Sequence, residues 1–431
     1  MKRLLVPGVL VGVLFLAGAA LAQQPSPPQT PPTQQQVEQL VRRLGSARLE
    51  DRQRAEQELV KLGPAVLPHL PRAEGLPAEV ANRLRRVRRQ LQLRQAQLQV
   101  AGTRVTLQGK MKLSEAIRRL EKQSGNRILD YRERFGQEVL DPQLQLDLRN
   151  QPFWKAVDRL CDLAQLSVYG YPESPAVALV VRPPEQLPMK QRIVHYQGAF
   201  RFEALSCFAV RELHQRGPSR TSVKLQVAWE PKLQPVALEL PWRSIQARTD
   251  QGQTLRLDMP GTLVVELVPG APSEITVPLG AVPRQARSLE SLQGELHVLL
   301  PGRREKFVFD SVLKSSGKTQ RRASVAVTLQ AVVPNNQVWQ VMLLVQFEDA
   351  QGALESHRTW ILDNPVRLID PKNRKIRPDG MEMFLHEEDK IGISYFFGLD
   401  QEPRGYKLEY ETPVVVLKQT VPWELKHIRL P

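Results

Sequence analysis

Cysteine is almost missing from this chain: 431 residues contain two, Cys161 and Cys207. That excludes a disulfide-stapled scaffold, which needs several bridges to stand in for a small core. Cys161 falls on the apolar side of an expected helix, Val157–Ala164, where a free thiol packs as a small hydrophobe. An oxidising compartment would also permit a Cys161–Cys207 bridge, joining two different modules. Long apolar runs are equally scarce. After the first twenty-two residues no segment approaches the roughly 20 apolar residues that cross a bilayer, so no transmembrane span is expected in the mature chain.

The signatures of common chemistries are missing too. Seven histidines are scattered at His69, His195, His214, His297, His357, His386 and His427, with no two at metal-ligand spacing. His386-Glu387-Glu388 lacks the second histidine that a zinc-protease helix requires four residues on. No Gly-x-Ser-x-Gly elbow occurs, and Ser315-Ser316-Gly317-Lys318 lacks the first glycine of a phosphate loop. The acidic run Glu387-Glu388-Asp389 reads as a solvated turn before it reads as a cation site. No catalytic residue, metal ligand or cofactor is therefore assigned. Carboxylates far apart in the chain could still pair, which a linear reading does not reveal.

What is present begins with an address. Lys2 and Arg3 precede an apolar run from Leu4 to Ala19, and Ala20-Leu21-Ala22 closes it with small residues. This is the layout of a secretory signal peptide over 1–22, cleaved before Gln23, and no cysteine follows to take a lipid anchor. The net charge of +15 becomes +13 once Lys2 and Arg3 leave. Export removes nucleic acid from the natural partners. It leaves envelope proteins, anionic envelope polymers and lipid surfaces, in the periplasm or outside the cell.

Composition then divides the mature chain. Residues 23–35 are a Pro/Gln-rich linker without large apolar side chains. Residues 36–98 carry helical periodicity, with Val37, Leu40, Val41 and Leu44 on one face and Gly63-Pro64 as a stop signal. The third helix, from Pro77 to Leu98, holds Arg83, Arg85, Arg86, Arg88, Arg89 and Arg94 beside an apolar stripe of Leu84, Val87, Leu91 and Leu98. No acid lies between Val80 and Ser114, so this run is the candidate anionic contact; a solvated outer face is the plainer account.

Residues 99–184 alternate strand and helix patterns in the order β-α-β-β-α-β-β, an α+β unit with both helices covering one sheet face. Ser114 is the expected cap of the first helix and Pro152 the start of the second. From Gln191 onward short alternating strands are divided by Pro/Gly turns. Ser222–Ala228 is echoed by Ser324–Gln330, and Asp250–Gln253 by Asp370–Asn373. The reading is two tandem Ig-like β-sandwiches, 187–316 and 317–431, with Lys314–Arg322 as linker; one large two-sheet domain is the alternative. Trp339 shares an alternating face with Val341, Leu343, Val345 and Phe347 and belongs to a core, whereas Trp229, Trp242, Trp360 and Trp423 could face a core or stack on sugars.

Two stretches carry resemblances. Arg52, Ala55, Leu59, Leu62-Gly63-Pro64-Ala65, Leu67-Pro68 and Leu70 resemble one HEAT-like helical repeat, too few copies for a solenoid. Leu113-Ser114-Glu115-Ala116-Ile117, Leu120, Ser124-Gly125, Leu144–Pro152 and Trp154–Asp158 resemble the short N-terminal domain of secretins and TonB-dependent receptors, over about residues 103–182. That resemblance implies protein contacts in the envelope and no catalytic residue. The insertion Arg132–Pro142 departs from the family, and neither a receptor barrel nor a secretin pore follows. The expectation is an exported, non-catalytic scaffold or adaptor; the alternative is a module that binds envelope glycan or anionic polymer and lipid.

Overall fold

The computed structural model describes residues 33–431 apart from 72, 74, 215–218, 258, 266, 268–269, 303, 324, 348–360, 363 and 388. The expected signal peptide and most of the linker lie outside the described residues, as do His357, Trp360 and Glu388. The chain is mostly β, with a small N-terminal helical region and several sheets. It forms two compact units that divide between Arg85 and Arg86. No helix among the described residues is long and apolar enough to cross a membrane.

The first unit holds α1 (Gln34–Arg43), α2 (Leu49–Lys61) and a 3-10 turn, Pro64–His69. Thr33 and Gln36 form a reciprocal capping box at the start of α1. Gly63, at φ 80°, turns the chain out of α2 where an L side chain would be strained, and Pro64 follows. Val37, Leu44, Ala55, Leu59, Val66 and Leu84 are buried at its centre. Helix α3 (Ala78–Ala101) begins in this unit and continues into the second, so its end is not a module boundary at residue 98.

In the second unit the α+β stretch runs β1 (Arg104–Lys112), α4 (Leu113–Ser124), β2 (Ile128–Asp130), β3 (Gln143–Pro152), α5 (Phe153–Ala164), β4 (Leu166–Tyr169) and β5 (Val177–Val181). The expected single sheet is in fact two: an antiparallel β1-β3 pair, and β2-β5-β4 with β2 and β5 parallel. Both contribute to one core with α4 and α5, including Leu107, Leu120, Leu146, Phe153 and Leu160. Ser114 does not cap α4 through its own oxygen. Its N–H and hydroxyl donate to Asp141, at 2.8 and 2.9 Å, so the unexpected insertion supplies the acceptor for the helix start. Arg132 staples that insertion through Asp130 and the Leu140 carbonyl.

A first sheet pair follows. Its strands are β6 (Val194–Gln197), β7 (Phe200–Val210), β8 (Arg220–Trp229), β9 (Ala237–Pro241), β10 (Gln246–Thr249), β11 (Thr254–Arg256), β12 (Thr262–Val265), β13 (Ser273–Gly280) and β14 (Ser288–Pro301). A second contains β15 (Arg304–Phe309), β16 (Lys318–Arg322), β17 (Val325–Asn335), β18 (Val338–Phe347), β19 (Val366–Ile369), β20 (Lys375–Ile376), β21 (Gly380–His386), β22 (Lys390–Phe397) and β23 (Lys407–Pro413). The last strand, β24 (Val416–Arg429), leaves the second pair and returns to the first.

The expected division at 316/317 therefore needs correction. β15 pairs with β23, so the second sheet pair starts at Arg304, ahead of the expected boundary. β16, inside the expected linker, is an edge strand on β17, and Ser315 is buried with its hydroxyl donating to the Asp310 backbone carbonyl. β24 runs along the whole of β14, Ser288↔Arg429 to Pro301↔Val416, while β10 and β9 share the opposite edge in tandem. The two cores form accordingly: Phe202, Leu225, Leu296, Val421 and Trp423 in one, Phe307, Leu343, Tyr395 and Tyr410 in the other.

Candidate functional site: a cavity beside a buried ion network

The arginine run is split by the fold. Arg83 is 8% exposed and pairs with Glu56 at 2.9 Å and Glu79 at 2.7 Å, so it is an internal ion pair and not an anionic contact. Its spacing showed this in part: it follows buried Val80 by three residues, on the inward side of the helix. Arg85, Arg86, Arg89 and Arg94 are exposed and Arg88 is half-buried. Arg85 also donates to the Ala81 carbonyl at 3.3 Å.

Two close approaches fix the end of α3 onto the β6–β7 turn. Gly198, at φ 57°, lies so near the Val100 carbonyl that a Cβ there would stand 2.2 Å from its oxygen. Ala199 N–H donates to the same carbonyl at 2.8 Å. Beside it, fully buried Glu230 accepts from the Thr103 backbone and hydroxyl and from Asn126 Nδ2, while Lys232 pairs with it at 3.2 Å. This hub locks the α+β stretch to the first sheet pair, because each donor lost from it would remain buried without an acceptor.

A second buried cluster lies between α5 and β7. Strand β7 starts Phe200-Arg201-Phe202-Glu203, and all four are buried. The phenylalanines enter the sheet-pair core; alternation sends Arg201 and Glu203 to the other face, toward α5. Arg201 Nε donates to Asp158 at 2.8 Å and its Nη2 to Glu203 at 2.6 Å. Tyr196 donates its hydroxyl to Asp158 at 2.6 Å, and Arg192 Nη1 donates to Glu203 at 3.1 Å. Burial raises the Asp158 carboxyl above the ordinary carboxylate range, against the pull of Arg201 and Tyr196. Burial works against the Arg201 charge, but the two carboxylates hold its proton more firmly still. Tyr196 is pushed up by burial and by the Asp158 charge.

The network is not fully paired. Asp158 Oδ1, Arg192 Nη2 and Trp154 Nε1 are buried and have no hydrogen-bond partner among the described residues. Trp154 and Asp158 are one turn apart on α5 and so share a face. Trp154, Arg192, Arg201 and Glu203 line a cavity of about 870 Å³. Its other walls come from both sheet pairs, with Trp229, Leu233 and Val264 from the first and Arg304 and Asn364 from the second. The volume and mixed lining suit a small-molecule site, for which about 300–1,000 Å³ is usual.

Of the cavity's named residues, sequence reasoning offers only Trp229 as a binding candidate, one that could face a core or stack on sugars. Nothing in the local order marks Arg192, Arg201 and Glu203; the buried α5 opposite gives Arg201 and Glu203 their setting. Among the tryptophans, Trp423 is core, stacked on Phe202 at 5.7 Å, while Trp339, Trp229 and Trp242 are half-buried against the cores. Cys161 and Cys207 are free thiols, and burial pushes Cys161 up, leaving it unreactive. Among the described residues no group of three His, Cys, Asp or Glu could hold a metal ion. Comparison with protein-family models, with curated proteins and with solved structures returned no match.

Proposed function

We propose that this chain is an exported, non-catalytic scaffold or adaptor of the cell envelope, built to hold several contact surfaces in fixed relation. The observation that carries this reading is the return of β24. It makes the second sheet pair an insertion in the first, anchored at both ends, and not a bead on a string. The Glu230 hub adds the α+β stretch to the same body. In this reading the two sheet pairs are Ig-like sandwiches, and residues 103–182 are akin to the short N-terminal domain of secretins and TonB-dependent receptors. The element order and the Asn150-Gln151-Pro152 entry to α5 support that kinship.

The exposed Arg89 and Arg94 favour a second reading, contact with an anionic envelope polymer or lipid surface. A pull-down of the mature protein from envelope extract, run beside a glycan and lipid panel, separates the two. Capture of a defined envelope protein that resists 0.5 M salt, where the Debye length is about 4 Å and exposed charges are largely screened, supports the scaffold. Salt-sensitive binding to acidic lipid or polymer, without a protein partner, overturns it.

A further inference from the structure

We infer that the second half of β7 is an interface at which two copies of this chain join edge to edge, Ser206–Val210 of one running antiparallel to the same strand of the other. This goes beyond the scaffold reading and stands whether or not that reading holds. Strand β6 covers only the first half of β7. Its pairs end at Val194↔Glu203, with one further bond from Ala204 N–H to the Ile193 carbonyl at 2.9 Å. The register on β8 then shifts between Ala204 and Ser206, a bulge of the kind that bends a strand and ends pairing. From Ser206 to Val210 one edge stays on β8, and the other meets no strand among the described residues. Phe208 is 40% exposed and Val210 49%.

An open edge is a template for a further strand, and folded chains guard such edges with charge or proline. In the two sheet pairs every other open edge of five or more described residues has that guard. It is Pro278 on β13, Lys306 on β15, Arg321 on β16, Glu382 on β21, Lys418 on β24 and Pro334 on the stretch of β17 beyond β16. Ser206-Cys207-Phe208-Ala209-Val210 has none, in a chain of which 24% is charged. Residues opposite one another share a face, so Cys207 and Ala209 stand with Val223 and Thr221 toward the core, and Ser206, Phe208 and Val210 face outward. A two-fold axis through Phe208 sets outward residues opposite outward residues and pairs all five positions: Phe208 with its copy, Ser206 with Val210 and Cys207 with Ala209. The strand thus complements itself in face, length and charge. Two exposed phenylalanines leave water together, and no like charges are brought opposite each other. A charged strand from another partner would find no counter-charge on these five residues.

The test is sedimentation equilibrium of the full mature chain. The parent should form a reversible dimer with a dissociation constant below about 100 μM. Phe208→Lys and Phe208→Glu should each weaken it at least about tenfold, because like charges then meet at the two-fold axis. An equimolar mixture of the two variants should form a dimer at least about tenfold tighter than either variant alone, since Lys then stands opposite Glu. A misfolded variant cannot give that rescue, and neither can a head-to-tail contact in which Phe208 meets some other surface. Raising salt from about 0.05 to 0.5 M should not weaken the parent dimer, because backbone pairing and apolar contact are not screened. A parent that stays monomeric at about 100 μM overturns the proposal and leaves the edge to solvent or to another protein. So does a dimer that both substitutions leave unchanged, a mixture no tighter than its components, or a dimer that salt dissolves.

Discussion

The two sheet pairs solve the same problem in opposite ways. The second is built from one continuous stretch, with every strand supplied between Arg304 and Pro413. The first is discontinuous: its long strand β14 gains the equally long partner β24 only after the whole second pair has been made. Their buried polar groups differ as well. In the first, a buried carboxylate, Glu239 on β9, is met by half-buried His297 of β14 and by the exposed Lys418 of the returning strand. The second uses a neutral cluster, in which Asn364 Nδ2 donates to the hydroxyls of Tyr410 and Thr412. The contrast teaches that fold continuity and chain continuity are separate matters. A sheet edge can be completed from far away when enough apolar surface comes with the strand.

Removing β24 should break the comparison most severely. Deletion of residues 416–431 strips Leu417, Val421, Trp423, Leu425 and Ile428 from the first core and bares one edge of β14 along its length. The first pair should lose its fold while the second keeps its own. Limited proteolysis with mass spectrometry should find new cuts within 187–301 and none within β17, β18 and β22. A single truncation on that strand, Trp423→Ala, should cost about 3–5 kcal/mol in urea unfolding, because the indole fills the space over Gly294 and stacks on Phe202.

In the second pair the corresponding polar change is smaller. Asn364→Ala leaves the buried Tyr410 and Thr412 hydroxyls short of a donor, and about 2 kcal/mol of stability should be lost by the same measurement. The least effect concerns pH. Burial lowers His297 from its ordinary value of about 6.5, with Lys418 acting in the same direction. The unfolded chain then binds the proton more readily than the folded one, so stability is full above about pH 6.5 and declines as pH falls through the lowered folded value. Melting of His297→Gln between pH 5 and 7.5 should show a shallower acid decline than the parent. It should not vanish, because burial lowers His195 in the same sheet pair.

Much of the local structure was legible. Helix stops followed Gly63-Pro64 and Gly125, since left-handed turns are decided within a few residues, whereas the Thr33 cap fell inside the expected linker. Both echoed turns are hairpin connections, Asp250–Gln253 between β10 and β11 and Asp370–Asn373 between β19 and β20. The candidate site was not legible apart from Trp229. Arg83 looked like its neighbours until Glu56, 27 positions earlier, closed on it. Arg201 and Glu203 had no assigned role until their place opposite α5 was visible. Asp141 was part of an unexplained insertion until its carboxylate met the start of α4.

The amino-acid order by itself determined the elements: which segments are helical, which alternate as strands, where turns fall and which faces are apolar. Those properties depend on spacing over a few residues, where backbone sterics and side-chain periodicity act. The tertiary structure alone decided the partners. It chose β24 for the edge of β14, split the expected α+β sheet in two, and turned a polar strand face into a buried ion network beside a cavity. Pairing across more than a hundred residues depends on which surfaces exclude water together, and that free energy belongs to the assembled chain, not to any local stretch of it.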